Sequence, residues 1–107
     1  MQTGFALVRA GYFWEAHELL EQVWLTQKPN STAREFLRAI IQLANGLLKL
    51  EMDRAGAAGR LFAEAAEVFH RLSGSGPVWD FSPAAVSRLA VAAEAADWAE
   101  LKKLRSS

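Results

Sequence analysis

The fold is decided by residues 32–51, which read TAREFLRAIIQLANGLLKLE. Apolar side chains return there every three or four positions, which is the period of an α-helix. They form one dense face, made of Phe36, Leu37, Ile40, Ile41, Leu43, Leu47 and Leu48. Thr32 followed by Glu35 has the spacing of a capping box, so we expect a helix over about residues 33–51. An apolar face this wide has to be covered by other helices.

The rest of the chain shows the same helical period, and no stretch alternates as a half-buried strand would. Helices are predicted over about residues 3–10, 12–26 and 54–72, and a last helical segment over about 83–104, with a break near Ala96. Their short connections favour antiparallel neighbours. The sequence therefore predicts an all-α fold, a compact up-and-down helical bundle of about five helices.

Local signals support these bounds. Asp53 is a suitable N-cap for the helix over residues 54–72, and Ser82 followed by Pro83 is a suitable start for the last segment. Gly56 and Gly59 lower the helix propensity of the segment that contains them. These two glycines are tolerable there if a neighbouring helix packs closely against them.

Composition limits the classes of protein to which the chain can belong. With 107 residues, of which 51% are hydrophobic, residues 1–107 are expected to form a single helical domain. The absence of cysteine excludes disulfides, thiolate metal sites and a cysteine nucleophile. A net charge of zero predicts neither a nucleic acid nor a membrane surface as partner. No secretion signal or membrane span is recognised, so the cytoplasm is the expected location.

Residues 12–24, YFWEAHELLEQVW, are the most unusual stretch. On a helical projection one arc is apolar, and the opposite arc carries Glu15, Glu18, Glu21 and Gln22. Trp14 falls among the glutamates, so it is expected to be exposed, as a pocket wall or as a surface for self-association into a homo-oligomer. Most of the other large aromatic residues are predicted to lie in the core: Trp24, Trp79, Phe81 and Trp98.

The segment His17-Glu18-x-x-Glu21 has two interpretations. In the first, His17 and Glu21 are ligands of a divalent metal, or a carboxylate tunes His17 as a general base. The spacing is that of the His-Glu-x-x-His zinc helix, with Glu21 in place of the second histidine. In the second, the glutamates face water or basic side chains, and His17 lies at the edge of the core.

Two further polar patterns have similar alternatives. An arc of the helix over residues 33–51 carries Arg34, Arg38, Gln42, Asn45 and Lys49, which either face solvent or pair with the acidic arc of the preceding helix. Glu67 and His70 match one element of a carboxylate-bridged di-metal site. Their phase is opposite to the apolar face, so we expect them to be exposed.

Two blocks carry a family resemblance: residues 11–24, in the pattern GYFxEAHExLExxW, and residues 36–44, FLRAIIQLA. They resemble an uncharacterised prokaryotic family, domain of unknown function 309. The resemblance implies a compact all-α bundle, together with the description "predicted metal-dependent hydrolase" that is used for such sequences. The family's polar signature falls on Glu15, His17, Glu18, Glu21, Arg38 and Gln42. The resemblance implies no substrate.

Two functions remain open on the sequence. The protein is an interaction or structural module, in which the polar cluster, including Glu15 and Gln42, specifies helix register or a contact between copies. Alternatively, it is a metal-dependent hydrolase. In that case His17, Glu18 and Glu21 would hold a divalent ion that activates water, and Arg38 would stabilise an anionic substrate. The first hypothesis is preferred because it needs no further ligands.

Overall fold

The computed structural model describes residues 2–107 and contains six helices within them. They are α1 (Gln2–Arg9), α2 (Phe13–Thr26), α3 (Thr32–Glu51), α4 (Ala55–Leu72), α5 (Pro83–Glu94) and α6 (Trp98–Lys103). The prediction of an all-α bundle is confirmed. The last predicted segment is divided into α5 and α6 by a turn at residues 95–97, where Ala96 takes a left-handed φ of 52°.

The N-caps of α3 and α4 differ from the prediction, whereas the N-cap of α5 agrees with it. The N-cap of α3 is Ser31, whose Oγ accepts a hydrogen bond from the Arg34 amide at 3.1 Å, and Thr32 is the first helical residue. Glu35 forms an ion pair with Arg71 of α4, so the predicted capping box is wrong. The cap predicted for α5 is confirmed, because Ser82 Oγ accepts from the Ala85 amide.

Asp53 does not cap α4. It has a left-handed φ of 60° and belongs to the turn that ends α3, where its amide donates to the Leu50 carbonyl. Asp adopts a left-handed conformation more readily than most residues, so Asp53 is well suited to this turn. The N-cap position of α4 is Arg54, which makes no side-chain capping bond.

The buried apolar side chains form one cluster with members from all six helices. Its largest fully buried members are Phe5, Phe13, Phe36, Phe62, Phe69 and Phe81. The helix pairs with the most extensive contacts are neighbours in sequence, as an up-and-down bundle requires. Trp98 was expected in the core but is 50% exposed, because it is the first residue of the short α6.

Two side chains connect distant parts of the bundle. The Arg9 guanidinium, at the end of α1, donates from Nε and Nη2 to the Leu104 carbonyl after α6, at 3.1 and 2.9 Å. The Trp79 indole N–H donates to the Ala33 carbonyl at 2.8 Å and so holds the loop before α5 against the start of α3. Within residues 2–107, every helix is too short or too polar to span a bilayer.

Candidate functional site

The outer side of α2 carries a surface that we call the Trp14 face: Trp14, Glu15, Glu18, Leu19 and Gln22. These side chains line an open depression of about 360 Å³. Trp14 is 56% exposed, as its helical phase predicted. The carboxylates of Glu15 and Glu18 form no ion pair within residues 2–107. The surface therefore combines a large aromatic side chain with two unneutralised negative charges.

His17 lies just inside this surface. Its imidazole stacks on the Trp14 indole, with ring centroids 6.0 Å apart and planes inclined by 13°. Its Nε2 is 3.8 Å from Glu21 Oε2, one turn further along α2. Its Nδ1 is buried and has no hydrogen-bond partner within the described chain. His17 therefore neighbours both the exposed tryptophan and the Glu21 carboxylate, and its Nδ1 is enclosed by the protein.

Glu21 of α2 and Arg38 of α3 are neighbours that form no ion pair with each other. Together with Trp24 and Ile41 they line a cavity of about 270 Å³ between α2 and α3. Trp24 is half-buried, and the Arg34 guanidinium lies over its ring, 4.1 Å from the centroid. The interhelical ion pairs that were one of the two alternatives for the basic arc are not formed with α2 among residues 2–107; the contact made here is an arginine on an aromatic ring.

Most polar partners of α3 come from α4 instead. Gln42 Nε2 donates to Glu64 at 3.1 Å, while its buried Oε1 has no partner in residues 2–107. Glu35 pairs with Arg71, as described above. Glu64 and Arg71 were not predicted from the sequence as partners of α3. Their separation of seven residues places them on one face of α4, which was the available signal.

The six predicted site residues therefore fall into three groups. Glu15 and Glu18 belong to the Trp14 face; His17 and Glu21 lie one turn apart on α2, with Arg38 of α3 at the same cavity as Glu21; and Gln42 turns to α4. Outside these groups, His70 is 2.7 Å from Glu94 on the surface and Glu67 is exposed, as their phase predicted.

The sequence suggested a metal site at His17 and Glu21. His17 Nε2 and Glu21 Oε2 would be two ligands, but Glu18 is on the Trp14 face. In the part of the chain that the structure describes, no three His, Cys, Asp or Glu side chains are grouped closely enough to hold one ion. A catalytic zinc ion uses three protein ligands and a structural one uses four. The residues present do not fit such a site.

The first half of the chain also matches a known family. Residues 1–61 match the family described as "Domain of unknown function (DUF309)". The matched region contains α2 and α3, and with them both sequence blocks on which the resemblance rests. No curated protein and no solved structure matches the chain.

Proposed function

The chain belongs to the DUF309 family, and from that premise we propose that it is a helical interaction module that docks a basic segment of a partner protein on the Trp14 face. One observation carries the proposal: a tryptophan that is 56% exposed lines the same surface depression as two carboxylates that form no ion pair within residues 2–107. Tryptophan is among the residues most enriched at the centres of protein interfaces.

The Trp14 side chain is supported before any partner arrives. The His17 ring stacks against it, and the Nε2 atom of that ring is 3.8 Å from Glu21 Oε2. A side chain that is already restrained loses less conformational freedom on binding than a free one. His17 and Glu21 are therefore positioning residues in this proposal.

The charge of the surface indicates what binds. Glu15 and Glu18 line one depression with the Trp14 indole, and both carboxylates and indole rings attract cations. A lysine or arginine of the partner would contact all three groups, with an apolar neighbour against Leu19. A second copy of the chain would fit poorly, because a two-fold contact would oppose the same carboxylates across the axis. The partner is therefore a different, basic segment.

The test uses a random-sequence peptide library displayed on phage, selected against the untagged protein. We expect the selected peptides to be rich in Arg and Lys, and to bind at least about tenfold more weakly to Trp14→Ala. Glu15→Gln combined with Glu18→Gln should give a similar loss that shrinks at high salt, because the interaction is between exposed charges. Isothermal titration calorimetry gives the dissociation constants.

The matched control is Trp98→Ala, which removes a tryptophan of similar exposure from α6 and should leave binding unchanged. Equal losses in Trp14→Ala and Trp98→Ala, or a selection without basic enrichment, would contradict the proposal. Sedimentation equilibrium measures self-association. Dimers of the parent that Trp14→Ala abolishes would assign the face to a second copy and overturn the basic partner.

A metal-dependent hydrolase would use His17 as a ligand, whereas the proposal uses it to hold Trp14. His17→Ala should weaken the binding of the selected peptides by a few-fold and leave the metal content of the purified protein unchanged. Elemental analysis of the two proteins measures this. Stoichiometric metal in the parent that is lost in His17→Ala would favour the hydrolase.

A further inference from the structure

A second cavity lies between α2, α3 and α4, away from the Trp14 face. We call it the arginine cleft, and its walls are Trp24, Asn30, Arg34, Glu35, Arg38, Val68 and Arg71. Its volume is about 270 Å³, which is near the lower limit for small-molecule sites. It shares Trp24 and Arg38 with the cavity beside Glu21.

The cleft is positively charged although the whole chain is neutral. Three guanidinium groups, from Arg34, Arg38 and Arg71, face one carboxylate, that of Glu35. The walls therefore carry a net charge of about +2 at neutral pH, because arginine stays protonated in proteins. Three cations lining so small a volume repel one another, and a bound anion would relieve that repulsion.

The three arginines differ in how far their donors are already used. Arg34 is fixed: its Nη1 donates to the Gln27 carbonyl at 3.0 Å, and its plane covers the Trp24 ring. Arg71 is paired with Glu35 through one nitrogen, which leaves its other donors available. Arg38 makes no side-chain hydrogen bond or ion pair within residues 2–107 and is exposed.

We propose that the arginine cleft binds a small phosphate monoester, with Arg38 as its principal ligand. A phosphate monoester carries nearly two negative charges at neutral pH and has three terminal oxygens, so it matches the net charge and the number of guanidinium groups. A carboxylate would neutralise only half of that charge. The exposed part of Trp24 and the Val68 side chain offer apolar contact to the organic group.

The test is a calorimetric titration of the full chain with phenyl phosphate, which joins the phosphate to a compact apolar ring. We expect saturable binding of one equivalent, weakened at least about tenfold in Arg38→Gln, since each arginine–phosphate contact is charge-assisted. NMR of the four tryptophan indole N–H groups should show the largest shift at Trp24, identified with a Trp24→Phe variant.

Arg60→Gln is the matched control. It removes the same charge from an exposed position of α4 that is about 16 Å from Arg71 along the helix axis and does not line the cleft. We expect it to bind phenyl phosphate like the parent. Equal weakening in Arg60→Gln and Arg38→Gln, or the absence of saturable binding, would overturn the proposal. Benzoate binding as tight as that of phenyl phosphate would overturn the assignment to phosphate.

This proposal is independent of the Trp14 face, since the two surfaces share no residue. Trp14→Ala should bind phenyl phosphate like the parent, and Arg38→Gln should bind the selected peptides like the parent. Loss of phenyl phosphate binding in Trp14→Ala would show that the ligand is not in the arginine cleft. Circular dichroism confirms that each variant is folded.

Discussion

Gly46 sets the distance between α3 and α4. A Cβ atom at this position would lie 2.5 Å from Cε1 and 2.8 Å from Cδ1 of the Phe62 ring. Phe62 is 1% exposed, so its ring is held on all sides and has little room to move away. The two helices therefore pack through direct contact between a backbone and an aromatic ring.

Gly46→Ala should accordingly destabilise the protein, because overpacking a core usually costs about 1–3 kcal/mol. The better helix propensity of alanine, worth about 1 kcal/mol, offsets part of this cost. Urea denaturation followed by circular dichroism measures the free energy of unfolding. The control is Gly59→Ala on α4, where a Cβ has nothing within 4 Å and the same change should stabilise. A stabilised Gly46→Ala would contradict this account of the packing.

Close packing against a glycine occurs at Gly46 and not at Gly56 or Gly59, where a Cβ would meet no atom within 4 Å among residues 2–107. Gly56 and Gly59 interrupt a helical segment of the sequence, but both face open space. The helical phase of Gly46 indicated that it is buried, since it comes seven residues after the buried Ala39 and lies on the same face of α3. The residue that approaches it belongs to another helix, and the pattern of one helix does not contain that information.

Among the helices, α3 shows how a start signal can be shifted by one residue. Both Ser31 and Thr32 have a hydroxyl that is suitable for capping, and only Thr32 has a glutamate three positions later. In the structure Glu35 is held by Arg71, and Ser31 is left to satisfy the amide of Arg34. Glu35 is therefore engaged with α4 and does not act as the glutamate of a capping box.

Ser31→Ala should cost about 0.5–2 kcal/mol of stability, because the Arg34 amide loses its capping acceptor. Thr32→Ala should change stability little, or raise it slightly, since Thr32 is an exposed helical residue and alanine has the higher propensity. Thermal unfolding of both variants provides the comparison. If Thr32→Ala were the more damaging of the two, the cap assignment would be wrong.

The same reasoning explains how much of the candidate site could be predicted from the sequence. The exposure of Trp14 depends only on its phase along α2, so the sequence predicted it correctly. The split of the polar signature depends on which helices are neighbours: Gln42 pairs across to Glu64 on α4, whereas Arg38 stays beside Glu21 on α2. Phase indicates which residues share a face, but it does not identify the helix opposite that face.

At the scale of the whole molecule, α1 is joined to the residue that ends α6. The Arg9 guanidinium donates two hydrogen bonds to the Leu104 carbonyl, and Leu104 itself is buried. Arg9→Ala should lower the free energy of unfolding by about 1–3 kcal/mol, because hydrogen bonds from charged donors contribute more than neutral ones. Thermal melts measure the loss, with Arg60→Ala as an exposed control of the same charge.

Hydrogen exchange gives a second readout of this connection. Amides of α1 and α6 should both lose protection in Arg9→Ala, while those of α3 and α4 keep theirs, since local opening begins where few contacts hold an element. Faster exchange in α1 alone would mean that the Arg9 bonds do not hold α6 in place.

The order of contacts along the chain has a consequence for how the bundle folds. Its most extensive helix pairs are adjacent in sequence, and proteins dominated by such local contacts fold within about microseconds to milliseconds. The bond from Trp79 to Ala33 spans 46 residues, and the bond from Arg9 to Leu104 spans 95. Closing loops of these lengths costs more entropy than pairing neighbouring helices. We therefore expect the transition state to be built from neighbouring helix pairs, with the contact between α1 and the residue after α6 forming late.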